Sequence, residues 1–329
     1  MAATGNPANA AAPKVARVTT GTDEAGRRLD NFLLTYLKGV PRAHVYRLIR
    51  SGQVRVNSKR VQASYRLVSG DEVRVPPVRQ PEATNAPPPS RLHTDWIEAL
   101  VLHEDADLLV LNKPSGLAVH GGSGISLGAI ELLRATRGPH SKLELVHRLD
   151  RDTSGCLLIA KRPAALRALH TQFREGRIDK RYHALLLGNW HGRGRTVDAP
   201  LLTDERRGGE RHVRVDAAGK ESVTHFLPLE RFPEAVLAEV HLATGRTHQI
   251  RVHAASIGHP VAGDERYGPA ADPVMAGQGL KRLFLHARRL VFAHPASGER
   301  IAVEAPLGED LAAPLERLRR SVPTTRRSG

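Results

Sequence analysis

Val146-His147-Arg148-Leu149-Asp150-Arg151-Asp152-Thr153-Ser154-Gly155 is the stretch on which the reading of this chain turns. From His147 to Ser154 it packs three basic side chains and two carboxylates into one short segment. The residues that follow, Cys156-Leu157-Leu158-Ile159-Ala160, are a continuous apolar run of strand length and predict a buried strand. The charged segment then has to sit on a turn held against a core. A carboxylate fixed among arginines stays ionised well below neutral pH, because opposite charges favour the charged form. Such a group can attack an electrophile or take part in proton transfer. An isolated aspartate there would more simply be a salt-bridged helix cap, so the neighbouring strings have to decide.

The 329 residues are enough for two domains and a substantial core. With 49 Lys+Arg against 34 Asp+Glu the formal charge is +15, which favours a polyanionic partner. The single cysteine, Cys156, permits neither a disulfide framework nor a thiolate metal site and fits a reducing cytoplasm. The first ten residues have neither the basic nor the apolar region of a signal peptide. No apolar run approaches the roughly 18 residues that a spanning helix needs. A soluble cytoplasmic protein, with no membrane partner, is expected.

Residues 1–13, rich in Ala, Asn, Pro and Gly, predict a disordered tail. From Arg28 a small unit begins. Leu29, Phe32, Leu33, Tyr36 and Leu37 recur on one face of a helix, and Val45, Leu48 and Ile49 on a second, which Gly52 is placed to end. Gln53–Asn57 and Asp71–Val75 alternate as strands around a turn at Asn57–Arg60. Between Lys14 and Arg79 stand 14 Lys/Arg and 5 Asp/Glu, so more than half of the excess charge lies in a fifth of the chain. Phosphate binding needs that concentration; a scaffold does not. Two helices followed by Gly-x-Val-x-Val-Asn and Gly-Asp-x-Val resemble the S4-type RNA-binding domain over about 27–78. The resemblance implies that Arg42, Arg47, Arg50, Arg55, Asn57 and Lys59 line an RNA-facing surface.

The Pro-rich segment 79–95 reads as a stiff linker. A second domain is expected over 96–320, with strands at 108–111, 156–160, 182–187, 222–228, 235–242, 283–292 and 300–305 and a helix from Pro163 to Phe173. Residues 321–329 read as a second disordered tail.

Three further strings in this domain carry polar side chains with a possible chemistry. Leu111-Asn112-Lys113-Pro114-Ser115-Gly116-Leu117-Ala118-Val119-His120-Gly121-Gly122 reads by pattern as a strand, a turn and a glycine loop. Tyr182, in Asp179-Lys180-Arg181-Tyr182-His183, sits where tyrosines are usually core. In Thr244-Gly245-Arg246-Thr247-His248-Gln249-Ile250-Arg251-Val252-His253, Ile250, Ala254 and Ile257 share a helical face that Thr247 can cap and Gly258 can close. His248, His253 and His259 lack metal-ligand spacing and a nearby completing acid, so no metal site is expected. Gly124-Ile125-Ser126-Leu127-Gly128 fits a nucleophile elbow in letters, but no strand precedes it. Asp152-Thr153-Ser154 lacks the glycine and the second copy of an aspartic-protease triplet.

Taken together and in this order, these strings resemble the RNA pseudouridine synthases, in particular the family that modifies large-subunit (23S) ribosomal RNA. The resemblance implies an α+β fold, a mixed, largely antiparallel sheet with a central cleft, beside the small N-terminal α+β domain. It implies that Asp150, not Asp152, is catalytic, that Tyr182 stacks on the target base, and that Arg251 pairs with Asp150. Arg148 is expected to fill the space that a flipped uridine leaves, and Lys113 and His147 to lie on the RNA-binding side. No cofactor is implied, and the partner expected is ribosomal RNA or a pre-ribosomal particle bound by a monomer. The same chemistry on transfer RNA or small-subunit RNA, or a ribosome-binding protein without activity, stays open at this point.

Overall fold

The computed structural model describes residues 15–78 and 94–321, apart from 23, 38, 39, 122–126, 139, 140 and 206–210. The expected tails, nearly all of the linker and the centre of the glycine loop lie outside the described residues. The chain divides into two compact units, residues 1–88 and 89–329.

The first unit runs β1 (Ala16–Thr19), α1 (Leu29–Tyr36), α2 (Arg42–Arg50), β2 (Arg55–Val56) and β3 (Glu72–Val75). Its antiparallel sheet has the order β1-β3-β2. Leu29, Phe32, Leu33 and Leu37 are buried with Val45, Leu48 and Ile49 of the second helix and with Val54, Val56, Val73 and Val75. Tyr36, expected on the buried face, is 40% exposed and stacks on Phe32 instead. The strand expected at 53–57 is cut to two residues because Asn57 and Ser58 both turn through positive φ.

The second unit opens with a 3-10 turn, Asp95–Leu100, then β4 (Val101–Glu104), β5 (Leu108–Lys113), α3 (Ala129–Arg137), β6 (Glu144–Leu145) and β7 (Ser154–Ala160). There follow α4 (Pro163–Arg174), β8 (Asp179–Leu187), β9 (Arg195–Asp198), β10 (Leu201–Glu205), β11 (Arg211–Val215), β12 (Val223–Arg231) and β13 (Ala235–Leu242). The unit closes with α5 (Gln249–Ser256), α6 (Pro273–Gln278), β14 (Leu285–Ala293), β15 (Arg300–Glu304) and α7 (Glu309–Ser321). One long sheet runs β4-β5-β7-β14-β8-β13-β12-β9, with β6 on β7 and β15 on β14. Its pairings are antiparallel except β7 with β14, so the sheet is mixed and largely antiparallel. β10 and β11 form a separate hairpin.

Every residue of β7 is buried, as the unbroken apolar run requires of a strand covered on both faces. Leu157 and Ile159 pack with Leu109, Leu111 and the α3 residues Ile130 and Leu133. Cys156 and Leu158 point to the other face, where Ala165 and Leu169 of α4 cover them. The alternation therefore lives in which core each residue joins, not in polar against apolar. α7 docks Leu311, Leu315 and Leu318 beside Leu185, Leu187 and Leu237.

Candidate active site

The opening motif is a turn wedged between β6 and β7. The Thr153 N–H closes it by donating to the Asp150 carbonyl at 3.2 Å. The Lys-Pro-Ser-Gly string is its cradle. Lys113 Nζ donates to the carbonyls of Pro114 (2.8 Å), Leu117 (2.8 Å) and Arg151 (2.9 Å). Ser115 Oγ donates to the Asp152 carbonyl, and the Gly116 N–H to that of Arg151. Lys113 is fully buried, so the expectation that it faces RNA is corrected: one of its donors ties the Asp150 turn to the end of β5, and the other two fold the loop after β5 around the amine. Burial pushes its amine down to about 7, with Asp152 and Asp150 opposing. Three carbonyl acceptors nevertheless match the three donors of an ammonium, which a neutral amine does not have.

His147 is corrected in the same way. Its Nε2 accepts the Leu158 N–H at 2.9 Å and its ring stacks on Phe173, which fastens the front of the turn to β7. At the far end, Ser154 Oγ lies 2.8 Å from Nδ1 of buried His286, whose Nε2 donates to the Ala305 carbonyl. Nε2 as donor leaves Nδ1 to accept the serine proton.

Burial lowers the pKa of both His147 and His286 to about 4, well under the 6.5 of an unfolded chain. The unfolded chain therefore binds more protons between those values. Stability from these histidines is complete above pH 6.5 and is lost as the pH falls toward 4. For His286 the loss is about 3 kcal/mol. The melting temperature should accordingly drop steeply from pH 6.5 to 4.5; a flat profile across that window would contradict the neutral, buried assignment.

Beside the turn lies a cleft with an open volume of about 120 Å³, lined among others by Arg148, Asp150, Tyr182, Arg246, His248 and Arg251. Of the expected site residues, Asp150, Tyr182, Arg148 and Arg251 are thus brought together from a turn, β8 and α5. The Asp150 side chain is 20% exposed, and its nearest charged-group partner among the described residues is His248 Nε2, 3.9 Å from Oδ2. Tyr182 is 8% exposed, and burial, helped by the charge of Asp150, raises its pKa, so it stays a phenol. Arg148 is exposed at the cleft.

Arg251 does not pair with Asp150. Its guanidinium forks onto Asp264, Nε to Oδ2 at 2.7 Å and Nη2 to Oδ1 at 2.6 Å. Oδ1 also accepts the N–H groups of Arg266 and Tyr267, and the ring of Tyr267 lies 5.1 Å from the guanidinium carbon. The reason is desolvation. The Asp264 side chain is wholly buried, and a buried carboxylate without a cation is far more costly than a part-exposed one. Burial works against both charges, but the pair holds Asp264 below and Arg251 above their ordinary values; the field of Asp150 adds to the latter. The sequence carries Asp264 and Tyr267 in Gly263-Asp264-x-x-Tyr267-Gly268, but nothing in that spacing says which arginine they meet.

α5 is capped differently from expectation. His248, not Thr247, is the N-terminal flanking residue, in left-handed backbone and without a side-chain cap bond. Gly258 does close the helix, its N–H donating to the Ala255 carbonyl. His253 is spent on Thr224 and the Ala199 carbonyl, and His259 on the Leu187 carbonyl. Asp105, Asp107 and His294 bring potential ligand atoms within 4.8 Å. His294 Nδ1, however, accepts the N–H groups of Ala296 and Ser297. Its Nε2 therefore carries the single proton of a neutral ring and faces Asp105 at 3.2 Å as a hydrogen-bond donor, not as a metal ligand.

In the N-terminal unit Arg47, Arg50, Arg55 and Lys59 are exposed. The Arg42 side chain lies outside the described residues. Asn57 is exposed as well, and its amide also clamps the turn, donating to Asp71 Oδ1 at 2.7 Å and accepting the Glu72 N–H at 2.8 Å.

A turn-borne aspartate facing a tyrosine across a cleft in a mixed sheet, on a chain with a small basic helix–strand unit, defines the class. The chain belongs to the RNA pseudouridylate synthase family. The model of that family matches residues 107–256, and that of the S4 domain residues 27–73. The chain is 52% identical over 311 residues to the ribosomal large subunit pseudouridine synthase C of Escherichia coli (strain K12), covering 93% of this chain and 98% of that protein. The protein of the same name from Pasteurella multocida (strain Pm70) is 51% identical over 307 residues, covering 93% and 94%. The solved human RNA pseudouridylate synthase domain containing 4 superposes with a TM-score of 0.59 at 27% identity, covering 70% of this chain and 96% of that one.

Proposed function

We propose that the protein isomerises specific uridines of large-subunit ribosomal RNA to pseudouridine, with Asp150 as the reacting carboxylate. The N1–C1′ bond of the uridine breaks, the uracil turns, and a C5–C1′ bond forms as the C5 proton leaves and N1 takes up a proton. Atoms balance without a redox step or a group donor. Asp150 either attacks C1′ or promotes loss of the 2′ proton, and Tyr182 offers an aromatic face to the uracil and a phenol for proton exchange. Arg251 serves through Asp264 as the rigid floor of the cleft. Arg148, charged and exposed at the rim, is suited to enter the space that a flipped base leaves. The observation that carries the reading is the meeting of Asp150 and Tyr182 on one cleft. The test is site-by-site pseudouridine mapping of ribosomal RNA from a deletion strain, with and without the gene restored. Loss of one or more large-subunit sites is expected; an unchanged large-subunit map rejects the substrate.

We assign 27–78 to RNA binding and 96–320 to catalysis, with action as a monomer in the cytoplasm. Among the described residues no helix is long and apolar enough to cross a membrane. Four of the proposed RNA-facing side chains, Arg47, Arg50, Arg55 and Lys59, are exposed cations. Deleting residues 1–80 should flatten the salt dependence of RNA affinity, each lost phosphate contact lowering the log–log slope by about 0.7–0.9. An unchanged slope would show that the basic unit does not touch RNA.

A further inference from the structure

We propose that His248 is a positioning residue for Asp150: its Nε2–H holds one carboxylate oxygen so that the other faces the reacting sugar. The inference rests on the assignment of Asp150 above. Three observations about this side chain point the same way.

The first is its backbone. His248 sits at φ 53°, ψ 19°, in the left-handed region that residues with a side chain seldom enter. Such conformations persist where the surroundings over-determine them, and they gather at working sites. Here the conformation accompanies an imidazole set between Asp150 and Tyr267.

The second is its partner. Nδ1 lies 2.9 Å from Tyr267 Oη. That oxygen already accepts the Val213 N–H at 3.4 Å, which leaves the phenol proton for Nδ1. An accepting Nδ1 puts the single proton of the neutral ring on Nε2. The third is what Nε2 faces. Asp150 Oδ2 stands 3.9 Å away, and the opposite tautomer would aim a lone pair at that carboxylate. Both ends of the ring therefore select the same tautomer.

Among the described residues, the groups around the imidazole leave no competing acceptor. Asp150 comes from the catalytic turn, Arg251 from the same helix, and Asp264, Arg266 and Tyr267 from the segment after it. His212 of β11 adds a ring 6.1 Å from that of Tyr267. Asp264 is taken up by Arg251. Burial, above all, lowers the pKa of His248, which keeps the ring neutral with one N–H to give. The separation of 3.9 Å is longer than a hydrogen bond, so binding of RNA has only about 1 Å to close. Orientation on that scale is worth about 100-fold in rate.

Two substitutions separate positioning from a backbone role. Asn tolerates left-handed backbone best, but its amide nitrogen reaches only the Nδ1 position. Gln is less at ease there, yet carries an N–H out to where Nε2 stands. His248→Gln should keep single-turnover pseudouridine formation within about 10-fold of wild type, while His248→Asn loses about 100-fold. In both, the KM for RNA should stay within about twofold, since uniform binding is untouched. Melting temperatures should run the other way, with Asn at or above Gln. Tyr267→Phe, which leaves residue 248 unaltered, should lower kcat by about 10-fold without raising KM. Rates that follow the melting order, or wild-type kcat in His248→Asn or Tyr267→Phe, overturn the proposal. Asp150→Asn is measured beside them. If it is active, the Asp150 reading itself fails; if it is dead while the His248 variants run at wild-type rate, only the positioning role fails.

Discussion

Asp150→Asn is expected to leave a folded protein that binds RNA and forms no measurable pseudouridine, a loss of about 10,000-fold or more. Asn keeps the volume and removes the charge. The fold should not notice, because the Asp150 carboxylate makes no hydrogen bond within the described residues and is part-exposed, while the turn is held through its backbone. Asp152 is the control. Its carboxylate pairs at the surface with Arg151, 3.2 Å away and 63% exposed. Asp152→Asn should therefore cost little in stability or rate, as exposed pairs do. Measured by single-turnover kinetics with a melting curve for each variant, near-wild-type activity of Asp150→Asn would remove the proposed mechanism.

The largest structural effect is expected from Gly155→Ala. Gly155 has φ +107°, and a Cβ there would stand 2.3 Å from the Ala287 carbonyl oxygen. This is where β7 and β14 pair in parallel, Ser154 with His286 and Gly155 with Ala287. Neither backbone can retreat, since β7 is also bonded to β5 and β14 to β8. Strain and clash together should cost more than about 3 kcal/mol, lowering the melting temperature by roughly 10 °C or preventing folding. Gly116→Ala is the contrast: φ is +80° but nothing lies within 4 Å, so only the backbone penalty remains, about 1 kcal/mol. Equal melting temperatures for the two variants would show that the β7–β14 contact is not close.

Much of the fold was legible where local pattern and tertiary role agree. The apolar run at 156–160, the helix from Pro163 and the strands at 235–242 and 300–305 lie where expected. α7 escaped notice although Leu311, Leu315 and Leu318 have helical spacing, because Pro314 interrupts it in letters while sitting in a helix already under way. β10 and β11 have little apolar pattern of their own; Leu201 and Val213 are buried only because Val252 and Tyr267 meet them.

For the site, it was the resemblance of the linear strings to a known family that implied Asp150, Tyr182, Arg148 and Arg251 as neighbours. Charge and residue type survive in a sequence, and a recurring order of motifs carries their company with it. What the chain could not state in one dimension was who bonds to whom. Arg251 had two carboxylates within reach, and its choice of Asp264 follows from which one is stripped of water. Lys113 and His147 read as RNA contacts because they are polar and close to motifs; they face inward because nearby backbone groups needed partners. Desolvation is a property of the packed state, so the roles that depend on it belonged to the tertiary structure alone.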